Sequence, residues 1–189
     1  GANPLNILAP PGRYTVRLRV GSTELRQPLR VLRDPDGGGA PTEIAEQTAM
    51  LVTIAKALES AGGLYANIDN VRGQLAATMD RAGTPADVRA AADSVERKFA
   101  FLADSLTQQN PGAFYEWPVK LISQLNYLAS EVGSSDRRPT DQARQAYAVL
   151  DGELALVRRA YVALVQRELA RLNELLSARG IPPVIVSQP

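Results

Sequence analysis

The hydrophobic pattern of the chain changes once, near residue 40, from a period of two to a period of three or four. Between residues 13 and 32, apolar side chains alternate with polar ones, which is typical of strands with one buried face. Gly21 and Ser22 interrupt the alternation and suit a two-residue hairpin turn. Pro28 lies inside the second strand and predicts an edge position or a bulge. The first segment is therefore predicted to be a β-hairpin.

From residue 42 onward, apolar residues recur every three or four positions, the period of an amphipathic helix. The spacing predicts four helices: one from about 42 to 81, one opened by a capping box at Thr84, a short one beginning at Pro118, and a long one from Pro139 to Arg179. Gly62 and Gly63 fall inside the first helix, but the apolar phase continues across them. This favours one helix, with two shorter helices as the alternative. Brief connections predict a mainly α fold, an antiparallel helical bundle behind the hairpin.

The last helix has the clearest start, stripe and end. Thr140 supplies a capping oxygen at its start, and Gly180 is suited to the left-handed position after its end. The stripe passes from Leu164 to Val165, which is interpreted as the gradual drift of a 3.6-residue period. A stripe this long requires partner helices. Its residues are Tyr147, Leu150, Leu154, Val157, Tyr161 and Leu164, then Val165, Leu169, Leu172 and Leu176.

The predicted hairpin has one apolar face and no obvious cover. A two-stranded hairpin alone is marginally stable in water. It either docks on the helices or forms the end of an Ig-like β-sandwich whose other strands lie upstream, and the alternation favours the sandwich. On that interpretation the chain, which does not begin with Met, is a fragment. The predicted organisation is 1–35 hairpin, 36–41 glycine-rich linker that acts as a flexible boundary, 42–184 helical bundle and 185–189 tail.

Charge and hydropathy argue against two classes of partner. Lys and Arg number 21 against 20 Asp and Glu, a formal net charge of +1, so no polyanion partner is expected. The tightest basic pairs, Arg137-Arg138 and Arg158-Arg159, are isolated and are predicted to be solvated ion-pairing positions rather than nucleic-acid contacts. No apolar run reaches the roughly 20 residues that a membrane span needs.

Catalytic chemistry has little support in the sequence. The chain contains no His and no Cys, which removes the commonest general base, thiolate nucleophiles and the commonest metal ligands. None of the three lysines (Lys56, Lys98, Lys120) follows a serine with Ser-x-x-Lys spacing. Carboxylates are scattered at helical surface positions, such as Glu43, Glu46, Asp93 and Glu96, and nothing singles out a catalytic pair. We therefore expect no catalytic residue, no cofactor and no metal in this chain.

One aromatic cluster is a candidate partner-binding surface. Phe114, Tyr115 and Trp117 lie close together in a chain that is only 5% aromatic. Trp and Tyr frequently anchor protein interfaces, so the cluster is a candidate contact for another domain. The alternative is a hydrophobic plug where a loop crosses the end of the bundle, and the burial preference of aromatic residues favours that alternative.

Two stretches of the chain resemble a known family. Residues 10–35, PPGRYTVRLRVGSTELRQPLRVLRDP, and the C-terminal helices from Lys120 to Leu154 and from Ala170 to Val184 resemble large bacterial secreted proteins with sortilin-like, BNR/Asp-box β-propellers, often labelled glycosyl hydrolases. Asn173 and the Gly-Ile-Pro-Pro that ends the helix belong to this resemblance, whereas Asp36 stands where the family usually has Arg. The resemblance implies an Ig-like strand pair and a helical bundle after the propellers, in a periplasmic or secreted protein. The family's functional residues belong to the propellers, so none is transferred.

Three functions follow as hypotheses. The first is a non-catalytic C-terminal accessory module that braces or positions upstream domains of the same polypeptide, or presents a face to a protein partner. The second is a scaffold within a glycan or peptide hydrolase whose active site lies in the propellers. The third is a bundle that forms homodimers through exposed stripe residues, which substitution of Leu164 or Leu172 by Glu would disrupt.

Overall fold

A computed structural model of the chain describes residues 5–108 and 119–186. The antiparallel hairpin consists of β1, Gly12–Val20, and β2, Thr23–Val31. The helices are α1, Pro41–Asp80; α2, Ala86–Leu106; α3, Leu121–Gly133; α4, Asp141–Leu164; and α5, Ala170–Ala178. A π turn, Val165–Leu169, joins α4 to α5. The predicted mainly α fold, an antiparallel bundle preceded by a hairpin, is confirmed.

The helices are arranged as three rods. The first is α1, whose 40 residues span about 60 Å. The second is α2 followed by α3, running in the opposite direction along α1. Arg72 pairs with Glu96 of α2 at 2.9 Å, and Gln47, near the other end of α1, donates to the Val132 carbonyl of α3 at 2.9 Å. Two shorter helices in series therefore cover one long helix.

The third rod is α4, the π turn and α5, and it runs parallel to α1. Arg144, in the first turn of α4, pairs with Glu46 near the start of α1 at 2.9 Å. Arg179, which follows α5, pairs with Asp87 at the start of α2 at 2.5 Å. The three rods enclose a common apolar core. Its largest fully buried side chains include Phe99, Ile54, Ile68, Leu75, Leu106, Leu125, Leu169 and Leu176.

The prediction of one continuous first helix is confirmed. The α1 helix runs without a break across Gly62 and Gly63. Ala61 and Leu64, on either side of the glycines, are both buried in the core. Packing against the other rods therefore holds the phase of the helix, and it outweighs the low helix propensity of the two glycines.

The last helix departs from the predicted uniform α-helix. Up to Leu164 the inward residues follow one another at three or four positions, with Val157 partly buried between the buried Leu154 and Tyr161. The next buried residue is Leu169, five positions later. The π turn lies at this step. A π turn accommodates one extra residue, so both halves of the rod keep their apolar side facing the core. Interpreting the step at Val165 as gradual drift was wrong, because the helix changes type locally.

Two predicted helix ends are confirmed and one is not. The Thr140 hydroxyl accepts a hydrogen bond from the Ala143 N–H at 3.1 Å and caps α4. Gly180, with φ of +67°, follows α5, and the Ile181 N–H donates back to the Leu176 carbonyl at 2.9 Å. The prediction of a capping box at Thr84 was wrong, because the Thr84 hydroxyl donates to the Thr78 carbonyl and does not cap α2.

The linker between hairpin and bundle makes a specific contact. Gly39 is buried, and a Cβ at this position would collide with the Asp136 carbonyl in the α3–α4 loop. Arg33, just after β2, donates to the Gly39 carbonyl at 3.2 Å. Gln47 of α1 donates to the Ser135 carbonyl of the same loop at 2.5 Å. The hairpin is therefore attached where α1 begins, through packing that the flexible-boundary interpretation of the linker did not include.

Candidate functional site

One face of the hairpin is apolar and is not covered by the helices that the structure describes. The strand register defines this apolar hairpin face, whose apolar residues are Tyr14, Val16, Leu18, Val20, Leu25, Leu29 and Val31. Leu18 and Leu25 lie directly opposite each other and are 56% and 61% exposed. Within the described residues, no helix packs substantially against either strand. Of the two arrangements predicted for the hairpin, docking on the helices is therefore not the one that the structure adopts.

The opposite face of the hairpin, the arginine face, is cationic. Arg13 lies across from Arg30, and Arg17 lies across from Arg26. Glu24 is the one acidic residue on the two strands, and its carboxylate lies 2.6 Å from Arg26 and 3.8 Å from Arg17. Burying guanidinium groups without partners is costly, whereas burying the apolar hairpin face is favourable. The hairpin thus has one face suited to burial and one suited to water.

Pro28 distinguishes the two edges of the hairpin. Val20 and Thr23 flank the two-residue turn, and pairs with and without mutual hydrogen bonds alternate from there. By this alternation Thr15 and Pro28 form a non-hydrogen-bonded pair, so the Pro28 nitrogen faces the outer edge of β2 and offers no donor there. The register is continuous, which confirms the predicted edge position and shows no bulge. Since β1 contains no proline, its outer edge is the one suited to another strand.

The predicted aromatic surface, Phe114, Tyr115 and Trp117, lies outside the described residues and stays a prediction. The described part of the chain has a different apolar surface, a shallow depression between α3 and α4. It is lined by Val119, Gln124, Tyr127, Leu128, Ala146 and Val149. Tyr127 and Val149 are each 61% exposed. Leu164 and Leu172, the stripe residues named for dimerisation, do not line this surface, because they belong to the bundle core.

The carboxylates considered for catalysis all have structural partners. Glu43 accepts a hydrogen bond from the Ala40 N–H at 2.9 Å, at the start of α1. Glu46 pairs with Arg138 at 3.2 Å and with Arg144 at 2.9 Å. The other two are ion-paired, each at 2.9 Å: Asp93 with Arg97, and Glu96 with Arg72. These contacts cap a helix, join neighbouring elements or, for Asp93, link successive turns of α2, which is a structural role for each carboxylate.

Among the residues that the structure describes, three side chains have shifted pKa values, each for a local reason. Burial raises the pKa of Tyr161, whose hydroxyl has no hydrogen-bond partner among the described residues. Burial also raises the pKa of Tyr147, and the nearby Asp151 carboxylate raises it further. The hydrogen bond from Lys98, at 3.0 Å, lowers the pKa of Glu168. The three shifted groups are well separated along the last rod, so they do not form an acid–base pair.

The described ranges contain neither a candidate metal cluster nor a candidate membrane-spanning helix. Within residues 5–108 and 119–186, no three acidic side chains are grouped closely enough to hold a metal ion. No helix in the same ranges is long and apolar enough to cross a membrane. Comparison with known proteins found no matching family model, no similar curated protein and no similar solved structure. The family resemblance therefore stays a prediction.

Sequence reasoning missed two features. The arginine face was hidden by the balanced total charge, although counting by segment reveals it: residues 12–33 contain six arginines and one glutamate. The second feature is a pair of amide side chains, Gln74 and Asn173, that bond the main chain of the C-terminal tail. Asn173 was noted through the family resemblance, but a lone Gln on a helix such as Gln74 carries no signal of this role.

Proposed function

We propose that this chain is a non-catalytic interaction module whose hairpin completes a β-sandwich with strands of an adjoining domain. The supporting observation is the apolar hairpin face, which is exposed although the helical core encloses its own apolar side chains. Each nine-residue strand has the length and alternation of a strand in a sandwich. The hairpin would then supply two strands, and the adjoining domain the facing sheet.

The chemistry of the hairpin favours a β-sheet as the occupant. Sandwich sheets bury one face of alternating apolar residues and leave the other in water, and the two faces of this hairpin differ in that way. No strand in the described ranges pairs with the outer edge of β1, while Pro28 interrupts the outer edge of β2. We infer that a strand of the adjoining domain pairs with the outer edge of β1 and that the facing sheet of the same domain packs over the apolar hairpin face.

The bundle would act as a brace for this assembly. The contact of Gly39 with the α3–α4 loop, and the bond from Arg33 to the Gly39 carbonyl, connect the end of β2 directly to the bundle. A domain that pairs with the hairpin would thereby be held at the end of the bundle where α1 begins. The absence of His and Cys from the sequence and the structural partners of the candidate carboxylates favour this role over catalysis.

The first test is the intact mass and stoichiometry of the protein as its host produces it. We expect a polypeptide heavier than these 189 residues, with the adjoining strands in the same chain. A monomer with only the mass of this chain would contradict the proposal, because the hairpin would have no sheet to join. A dimer of the 189-residue chain would also contradict it, because a second copy would then be the occupant.

A matched pair of proline substitutions in that protein tests which edge is used. Arg17 and Arg26 face each other in a non-hydrogen-bonded pair, so Pro at either site removes one outward N–H and one arginine. We expect Arg17→Pro to raise the hydrogen-exchange rates of the hairpin amides at least tenfold. We expect Arg26→Pro to change these rates little. Equal effects would show that the hairpin itself was damaged, and no effect of either would show that the β1 edge is free; both results oppose the proposal.

A further inference from the structure

The tail that follows α5 lies in an extended conformation between two rods. Val184 is held by Asn173 of α5: its N–H donates to Oδ1 at 2.8 Å, and its carbonyl accepts from Nδ2 at 3.0 Å. Ile185 is held in the same way by Gln74 of α1, with N–H to Oε1 at 2.8 Å and Nε2 to carbonyl at 2.8 Å. Two amide side chains thus satisfy all four main-chain groups of two consecutive residues.

The geometry is that of a strand bound on both edges. In an extended chain, the N–H and C=O of one residue point to one side, and those of the next residue point to the other. Asn173 and Gln74, on different rods, therefore occupy positions that neighbouring strands would take in a sheet. The Gln74 amide also donates to the Asn70 side chain at 2.7 Å, which fixes the orientation in which it meets the tail.

The side chains of the bound segment alternate between the core and the solvent, as those of a strand do. The Val184 side chain is buried, at 4% exposure, whereas Ile185 is 69% exposed. Pro182 and Pro183 precede the anchor and restrict the free segment to extended conformations, so less conformational entropy is lost when it is bound. Ile181 and Val186 also pack partly buried against the core. The site therefore recognises an extended main chain with its buried anchor at Val184, and it leaves the side chain of Ile185 in water.

We propose that the groove between α1 and α5 is a binding site for an extended peptide with a β-branched anchor after proline, and that residues 181–186 occupy it in cis. The segment is joined to α5 only through the turn at Gly180, where the helix has already ended. A peptide of the same pattern supplied in trans competes with the tail for the two amides. This site lies near the C-terminal end of α1 and does not depend on the hairpin proposal.

The test measures binding of a labelled peptide with the sequence of residues 181–189 to a chain ending at Pro182. We expect saturable binding to the shortened chain and at least tenfold weaker apparent binding to the intact chain, whose groove is occupied. Asn173→Ala and Gln74→Ala should each weaken binding about tenfold, since each removes two hydrogen bonds. Asn126→Ala, which changes an amide on α3, is the matched control and should have no effect.

Two peptide variants examine the anchor. Replacing the Val184 position by Asp should abolish binding, whereas Asp at the Ile185 position should bind as the parent peptide does. Failure of the parent peptide to bind a shortened chain that remains helical and melts cooperatively would overturn the proposal. Equal binding of the two variants would overturn it as well, because the groove would then not distinguish the buried position from the exposed one.

Hydrogen exchange in the intact chain keeps the proposal testable if the shortened chain does not fold. We expect the Val184 and Ile185 amides to exchange at least tenfold more slowly than in the free peptide. Asn173→Ala should release the Val184 amide selectively, and Gln74→Ala the Ile185 amide. Exchange of both amides at the free-peptide rate in the unsubstituted protein would show that the tail is not bound, and the site would be rejected.

Discussion

The bundle and the hairpin use the same kind of side chain in opposite ways. Leu125 of α3 is fully buried, whereas Leu18 of β1 is 56% exposed. Both leucines lie in segments whose apolar residues are regularly spaced along the sequence. The helical stripes find partners within the chain because three rods enclose one another, but two strands cannot cover their own face. Apolar residues therefore stabilise the bundle directly, whereas those of the hairpin contribute little as long as they stay exposed.

The strongest test of this comparison removes one large side chain from each region. Phe99 is fully buried and forms an edge-to-face pair with Tyr161, with ring centroids 6.1 Å apart. Phe99→Ala should lower the free energy of unfolding of the 189-residue chain by about 3–5 kcal/mol. Leu25→Ala, on the apolar hairpin face, should lower it by less than about 0.5 kcal/mol. Urea denaturation followed by circular dichroism measures both, and comparable losses would remove the distinction between the two regions.

The second test concerns the linker that joins the two regions. Gly39→Ala should lower the free energy of unfolding by about 1–3 kcal/mol, because the added methyl meets the Asp136 carbonyl. Gly63→Ala is the matched control, because a Cβ there has open space around it inside a helix. It should raise the stability by about 0.5–1 kcal/mol. Thermal unfolding measures the stability of both variants relative to the parent. A Gly39→Ala protein as stable as the parent would show that the linker is not packed.

A third, smaller effect is expected within the bundle core. Tyr161→Phe should leave the free energy of unfolding unchanged or raise it by up to about 1 kcal/mol, because it removes a buried hydroxyl without a partner in the described structure. Burial raises the folded-state pKa of Tyr161, so the parent loses stability as the pH rises above 10. The variant should lose less in that range. A destabilisation larger than 1 kcal/mol at pH 7 would indicate a hydrogen bond to that hydroxyl.

The smallest effect is expected at the surface of the bundle. Lys98 holds the pKa of Glu168 below its ordinary value of 4.5, so the stability that this ion pair contributes is present above that pH and is lost as the pH falls through the lowered pKa. Lys98→Met should raise the pKa of Glu168 toward its ordinary value with little effect on stability at pH 7. Carboxyl titration by NMR measures the change, and an unaltered pKa would assign the shift to another group.

The parts of the fold that could be predicted are those determined within four residues of the chain. The helical period of α3, the cap at Thr140 and the turn at Gly21 depend on near neighbours, and each was predicted correctly, although α3 begins at Leu121, later than the predicted start. The contact of Gly39 with the α3–α4 loop depends on residues nearly a hundred positions away. The same holds for the bonds between Gln74 and the tail, so no local pattern could reveal either.

The candidate site was predicted only in part for a related reason. The alternation of apolar and polar residues identified the apolar hairpin face. The sequence did not show whether helices would cover this face, because that depends on where the linker places the hairpin relative to the three rods. The prediction of a partner surface at Phe114, Tyr115 and Trp117 rested on composition alone. A cluster of aromatic residues is equally consistent with a buried plug and with an interface, since both environments favour aromatic side chains.

The π turn at Val165–Leu169 has a consequence for how this sequence can change in length. Deleting one residue within the turn would convert it to α-helix and leave both flanking segments facing the core. The same deletion elsewhere in the rod would rotate every later side chain by about 100° and carry Leu172 and Leu176 out of the core. Among homologous chains, length differences of one residue within this rod should therefore occur at the π turn more often than elsewhere in the rod.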